Sequence, residues 1–372
     1  HHAIDTYLPK LVRAGERVAI CEQLEDPKMA KGVVKRGVIE LVTPGVVLGD
    51  TNMLATKENS YLASVYFGKN ATGVAFLDIS TGEFYVAEGN DSYIDKLISN
   101  LQPKEIVYQR GREEHFADIF GSKHYTYRLD EWVFSESVNR DKLCKQLGVQ
   151  NLKGFGIDSM SEGISAAGAI LYYLEFTEHK QTAHLSSIQR IDREDFVWID
   201  KFTIRNLELF ASNGALSRCS LVDILDHTRT AMGGRQLKRW VAMPLMDVEK
   251  IRMRQNIVEK ILTDEELGEA MREQISLIGD LERIASRVAT QRVTPRELVQ
   301  LKNSLAAIEI LRALMESTDY DPLHAIASKI DPLVAVRERL ETEIFPDPET
   351  NQIQKGGIIA DGVSAELDDL RR

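Results

Sequence analysis

The spacing of apolar residues changes character along this chain, and that change is incompatible with one uniform fold. Residues 61–67, 73–79, 83–87 and 105–108 alternate or run continuously apolar, as strands do. From about Asp195 the apolar positions recur at helical spacing instead. Ser80-Thr81-Gly82 supplies a tight turn between two of the strands. The stretch 93–101 is helix-like and stops before Pro103, and 161–177 reads as a long, alanine-rich helix. Strands interleaved with helices predict a partly parallel sheet covered by helices, followed by a separate helical body. At 372 residues the chain has room for two or three cores. The expected fold class is multidomain, α/β plus all-α, with the pattern changing near Asn59, between Arg190 and Asp195, and after Phe345.

The first segment opens with Tyr7, Leu8, Leu11 and Val12 at helical spacing, and Gly15 ends that pattern. Short strands at 18–21 and 36–42 follow, punctuated by Asp26-Pro27 and Thr43-Pro44-Gly45. In the helical part, Asp247 caps a helix whose face is Val248, Ile251, Ile257, Val258 and Ile261. Thr294-Pro-Arg-Glu297 is a capping box with proline at the first helical position, and Asp331-Pro332 is expected to start another helix in the same way. Long helices with short loops predict an elongated bundle. Past Phe345 comes an irregular stretch, a short strand at 358–360 and a helix starting at Ser364. Both ends of the chain read as cuts through a longer sequence.

Charge limits what these bodies bind. The formal net charge is −11. Residues 1–59 are balanced, with 8 Lys/Arg and 8 Asp/Glu, and the acidic excess lies beyond them. Phosphate neutralisation needs clustered Lys and Arg, so most of this chain is a poor nucleic-acid binder on its own. The one basic cluster, Lys28, Lys31, Lys35 and Arg36, has two readings: contact with a nucleic-acid backbone, or a solvated loop. Cys21, Cys144 and Cys219 are far apart, which fits buried thiols in a reducing cytoplasm.

Catalytic patterns are sparse. No GxxxxGK[ST] loop, HExxH pair or Cys/His ligand spacing occurs in the sequence. Phe76-Leu-Asp78-Ile-Ser-Thr-Gly82 puts a carboxylate on a strand just before a turn, as in RNase H-like nucleases, where such an aspartate helps hold two magnesium ions. Asp158 and Glu162 are the candidate partners. A metal-dependent nuclease with a helical appendage is therefore the alternative reading, against a fold that carries no catalysis.

Several stretches, in order, resemble the MutS family of DNA mismatch repair proteins. They are His2-Ala-Ile-Asp-Thr-Tyr-Leu8, Val18-Ala-Ile-Cys-Glu-Gln23, Val42-Thr-Pro-Gly45, Phe76-Leu-Asp-Ile-Ser-Thr-Gly-Glu-Phe84, Leu225-Asp-His-Thr-Arg-Thr-Ala-Met-Gly-Gly-Arg235, Gly279-Asp-Leu-Glu-Arg283 and Gly356-Gly-Ile-Ile-Ala360. No single stretch is diagnostic; the series spans essentially the whole chain.

The resemblance implies that 1–59 is the C-terminal part of a mismatch-binding domain and 60–192 an RNase H-like connector domain without nuclease activity. It makes 193–355 a helical core or lever domain and 356–372 the start of a clamp. The family's Phe-x-Glu wedge, its ATPase and its ATP and magnesium sites would all lie outside this stretch, leaving a non-enzymatic piece with no cofactor of its own. Mismatched double-stranded DNA, a MutL partner docking through the connector, and a homodimer formed mainly by other regions are the partners implied. A cytoplasmic location follows from the same resemblance. Exposed residues of the 161–177 helix are candidates for the MutL contact. Asp226, His227, Thr228, Gly233, Arg235 and Trp240 form a structural or signalling motif, read as a capped helix start packed in the lever core in preference to a direct DNA or nucleotide role.

Overall fold

The structure, a computed structural model, describes residues 4–25, 32–47, 57–211, 219–348 and 356–371. It divides into two compact units. The first comprises His1–Leu225 with Lys238–Pro244, and the second Asp226–Leu237 with Leu245–Arg372.

The first unit begins with helix α1 (Ile4–Arg13) and the antiparallel pair β1 (Val18–Gln23) and β2 (Arg36–Val42). Gly15 follows α1 with φ of +87°, a conformation open to glycine at little cost. Leu8, Val12, Val42 and Val47 give this segment a small cluster of its own.

A six-stranded mixed sheet forms the body. Its strands are β3 (Leu62–Phe67), β4 (Thr72–Asp78), β5 (Glu83–Gly89), β6 (Glu105–Gln109), β7 (Thr126–Leu129) and β8 (Gln189–Arg190), in the order β7-β6-β3-β4-β5-β8. β3, β4 and β5 form an antiparallel meander, and β6, β7 and β8 join with parallel pairings. Helices α2 (Asp91–Leu101), α3 (Glu113–Phe120), α4 (Glu136–Leu147) and α5 (Ser161–Phe176) flank the sheet. Alternate strand residues face opposite ways. Leu62, Leu77, Val86 and Val107 therefore join one core with α4 and α5, while Ala63, Val65, Val74 and Phe76 join another with α2 and α3. With both faces covered, β4 is buried at every position, which is why it reads as a continuous apolar run. Short α6 (Lys201–Asn206) and α7 (Leu221–Leu225) follow.

Helix α5 lies close on the sheet because glycine and alanine line the contact. A Cβ at Gly73 on β4 would sit 2.0 Å from the Glu162 carbonyl oxygen, and where α5 meets α4 a Cβ at Gly168 would sit 2.2 Å from Asn139 Cβ. Nearly all of α5 is buried from Gly163 to Leu174. Its N-terminus is capped from the sheet, where Glu88 accepts from the Glu162 and Gly163 amides at 2.9 and 3.1 Å.

Helix α8 (Ala231–Ala242) contributes to both units, and α9 (Val248–Thr263), α10 (Glu265–Leu277), α11 (Leu281–Ala289), α12 (Pro295–Glu316), α13 (Asp321–Ala327), α14 (Val334–Glu343) and α15 (Ala365–Arg371) build the second. Leu267, Met271, Met315, Leu323 and Ala327 are its apolar centre. The 22-residue α12 starts at the expected capping box, with the Glu297 amide on Thr294 Oγ1 and the Thr294 amide on Glu297 Oε2. Asp247 caps α9 as expected, accepting from the amides of Glu249 and Lys250.

Several expectations are corrected. Asp331-Pro332 does not cap a helix: Asp331 accepts from the Leu333 amide at 2.9 Å, Leu333 takes φ of +48°, and α14 begins after it without a side-chain cap. On α9, Ile257 and Ile261 meet the apolar centre but Val248 and Val258 are exposed. Cys21 and Cys219 are exposed and are not core residues, whereas Cys144 is half-buried and packs against the core that α4 and α5 share with the sheet. Cys21 points away from the small cluster because strand alternation gives that face to Ile20. Among the described residues, no helix is long and apolar enough to cross a membrane.

Candidate functional site

The basic cluster is only partly visible. Lys28 and Lys31 lie outside the described residues. Lys35 and Arg36 are exposed at the start of β2, and the Lys35 amide donates to Glu25 Oε1 at 2.7 Å. Arg36 lies opposite Gln23 and helps line an open groove with Ile4, Tyr7, Leu11, Ile20 and Cys21.

Asp78 is where the strand expectation put it, at the end of β4 beside the turn, but its surroundings overturn the metal-site reading. It is fully buried. One oxygen accepts from the Ser80 amide at 3.0 Å and Ser80 Oγ at 2.7 Å; the other accepts from the Ser60 amide at 3.0 Å and Asn59 Nδ2 at 2.9 Å. A carboxylate holding four neutral donors ties a turn together rather than facing a cation. The proposed partners are committed elsewhere: Asp158 pairs with Arg140 at 2.8 Å, and Glu162 stands at the N-terminus of α5. No group of three or more metal-ligating side chains occurs among the described residues.

Near Asp78, Asn59 Nδ2 also donates to Glu83 Oε2 at 2.7 Å, and Tyr61 donates to the same oxygen at 2.9 Å. Arg239, from the C-terminal end of α8, closes this group with an ion pair to Glu83 and a hydrogen bond to Tyr85. Burial, followed by the negative charge of Glu83, pushes the Tyr61 hydroxyl well above its ordinary pKa. In this network Asp78 is satisfied by neutral donors and Glu83 is paired with Arg239.

The residues 226–240 lead into and form most of α8. Asp226 Oδ1 accepts from the Thr228 amide at 3.0 Å and its hydroxyl at 2.5 Å, and Thr230 Oγ1 accepts from the Gly233 amide at 3.0 Å. These contacts form the capped start of α8. A Cβ at Gly233 would press on Thr230 and Thr228, at 3.0 and 3.3 Å. Arg235, 3% exposed, donates to both oxygens of Asp280 and to Glu282 at 2.6 Å. Burial favours the neutral guanidinium, but Asp280 and Glu282 outweigh it and hold Arg235 charged. Asp280 also caps α11 by accepting from the Arg283 amide. His227 and Trp240 are both exposed.

Sequence reasoning missed three buried polar contacts. Glu105, fully buried on β6, gathers Arg17, Thr43, Gly45 and Tyr173. His179 lies 3.2 Å from Glu40, also in the interior. Arg235 meets Asp280 across 45 residues of sequence. The available signal was that Arg235 and Asp280 each sit in a family-like stretch; for Glu105 and His179 there was none.

A small α/β/β segment, a mixed-sheet body and an ion-paired helical unit define a multidomain α/β protein. Family models for MutS domain I, MutS domain II and MutS domain III match residues 1–51, 60–189 and 202–369. The chain is 51% identical to the DNA mismatch repair protein MutS of Bacteroides fragilis (strain YCH46) over 372 residues, 100% of this chain and 43% of that protein. It is 52% identical to the protein so named in Bacteroides thetaiotaomicron over 372 residues, 100% of this chain and 43% of that protein. For that of Flavobacterium psychrophilum the identity is 46% over 371 residues, 100% of this chain and 42% of that protein. The chain belongs to the MutS family. It spans about 43% of the length of the curated relatives it matches.

Proposed function

We propose that this chain is the linkage of a mismatch-repair protein, the part that couples distortion sensed in DNA to an ATPase carried elsewhere in the full-length relatives. What carries this reading is how its conspicuous polar side chains are used: Asp78 and Arg235 hold elements together. In this reading 1–59 completes a mismatch-binding domain, 60–192 is an RNase H-like connector, 193–355 is a lever, and 356–372 enters a clamp. The antiparallel meander extended by parallel strands at its first edge supports the RNase H-like assignment of the connector. ATP and magnesium would act at the ATPase and not on these residues.

Mismatched duplex is more easily bent than paired DNA, so a protein can sense it through deformation. Lys28, Lys31, Lys35 and Arg36 would contribute phosphate contacts that fix register without reading sequence. MutL would dock through the connector and the homodimer would form mainly through other regions. On α5 the exposed residues are Ser161, Glu175 and Phe176, and these are its candidates for the MutL contact. Asp226, Thr228, Gly233 and Arg235 would support the signalling path by fixing the start of α8, with exposed His227 and Trp240 as further members of the same motif.

The test is a gel-shift titration of this chain with mismatched and matched duplexes at low salt. The expected result is weak binding with little discrimination. Replacing the four basic residues by glutamate should weaken it and flatten its salt dependence. Tight, mismatch-selective binding by the chain alone would overturn the assignment.

A further inference from the structure

The first unit contains a joint that nothing in the family comparison assigns. Glu105 is fully buried, and its partners come from two separate parts of the chain. From the N-terminal segment, Arg17 Nη2 donates to Oε1 at 2.9 Å, Thr43 Oγ1 to Oε2 at 2.5 Å and the Gly45 amide to Oε2 at 3.1 Å. From the sheet body, the Tyr173 hydroxyl of α5 donates to Oε1 at 2.7 Å. The guanidinium of Arg17 also lies over the rings of Tyr125 and Tyr127, at 5.3 and 4.1 Å. Glycine is required at 45 for space: a Cβ there would stand 2.7 Å from Glu105 Cβ and 3.2 Å from Leu62 Cδ1. Further contacts lie along the same seam. The Leu41 amide donates to the Thr177 carbonyl at 3.1 Å, Glu40 faces His179, and Val46 is buried in the sheet core.

We infer that Glu105 is a positioning residue, a buried carboxylate that fixes the N-terminal segment on the sheet body so that the two move as one piece. Removing a buried charge's partner is costly because the charge is left uncompensated, so the joint has few intermediate states. Resting on the proposed linkage function, this means that displacement at the DNA-reading end enters the connector without being absorbed at residues 43–47.

The joint can be tested without DNA, so its failure is distinguishable from failure of the functional reading. In the full chain, with Cys144 and Cys219 replaced by serine, spin labels are placed on native Cys21 and on a Lys145→Cys site in α4. The distance distribution between them is then measured. The inference expects one narrow distribution, broadened at least two-fold by Glu105→Gln and by Gly45→Ala. The second change lies in the segment, so it acts even if the first prevents folding. Asn139→Ala, which removes donors to the Val133 and Ser165 carbonyls within the body, should lower the melting temperature and leave the distribution narrow. A distribution that stays narrow in Gly45→Ala, or that broadens equally in Asn139→Ala, overturns the inference.

Discussion

Arg235 and Asp280 meet as a bidentate pair, 2.8 and 2.7 Å, with the guanidinium almost wholly removed from solvent. The pair joins the start of α8 to the cap of α11, so one contact secures two helix ends in the second unit. The planar fork of arginine is what allows both oxygens to be met at once, and lysine cannot reproduce it. Truncation at Arg235 would leave Asp280 and Glu282 facing each other without their shared cation. Arg235→Ala should therefore destabilise the second unit by roughly 3–5 kcal/mol, the range for breaking a buried pair from one side. Arg235→Lys should recover only part of that. Urea denaturation followed by helical circular dichroism reads the loss, and an unchanged midpoint in Arg235→Ala would contradict it.

The capping box of α12 gives a smaller, cleaner effect. Glu297 both accepts from the Thr294 amide and pairs with Arg287 at 2.7 Å, so the cap is tied to α11 as well. Thr294→Ala should cost about 1 kcal/mol, the usual value for losing an N-cap. Serine at this position should restore most of it, with calorimetry giving the order threonine, serine, alanine.

Acid sensitivity should appear at the β4–β5 turn. The Nε2–H of His184 donates to the Ile79 carbonyl at 2.8 Å, while Nδ1 is buried and finds no partner among the described residues. Burial pushes the His184 pKa below the ordinary imidazole value. The folded state therefore binds this proton less readily than the unfolded chain. Its stabilising contribution is complete above about pH 6.5, the unfolded value, and is lost as pH falls through the lower folded value. His184→Gln should flatten the pH dependence of stability across that window. A wild-type profile as steep in the variant as in the parent would assign the acid sensitivity to other groups.

Thiol chemistry should separate the three cysteines. Cys21 and Cys219 are exposed and Cys144 is half-buried. A disulfide reagent should modify two thiols quickly and the third more slowly in the native chain. Peptide mapping after a short exposure identifies which two; early modification of Cys144 would contradict the ordering.

The mixed sheet, the separate helical unit and the α12 start were all readable because their signals are local. Short apolar runs, continuous or alternating, sit on β3, β4 and β5, and a four-residue box names its own helix. α3, α4 and β7 carried weak apolar periodicity and went unread. For α4 the reason is visible, since only Asn139 and Leu143 are buried along it. Cys21 and Cys219 were misread because burial follows strand alternation and tertiary neighbours, not residue type alone. The site was less legible still. Asp226 to Gly233 is a local motif and behaved as one, but Glu105 and Tyr173 stand 68 residues apart, and only the folded sheet brings them together. Asp78 was correctly located on its strand; the four donors that fill its oxygens include Asn59 and Ser60, which nothing in the strand pattern connects to it.

The glycines beneath α5 also bear on where this architecture has freedom to drift. Because Gly73 meets the Glu162 carbonyl and Gly168 meets Asn139 of α4 with no room for one extra methyl, α5 shares a tight seam with β4 on one side and α4 on the other that no side can widen alone. Sequence divergence among proteins built this way should then be recorded on the outer faces of α3 and α4, while the seam acts as a fixed gauge against which those faces are measured.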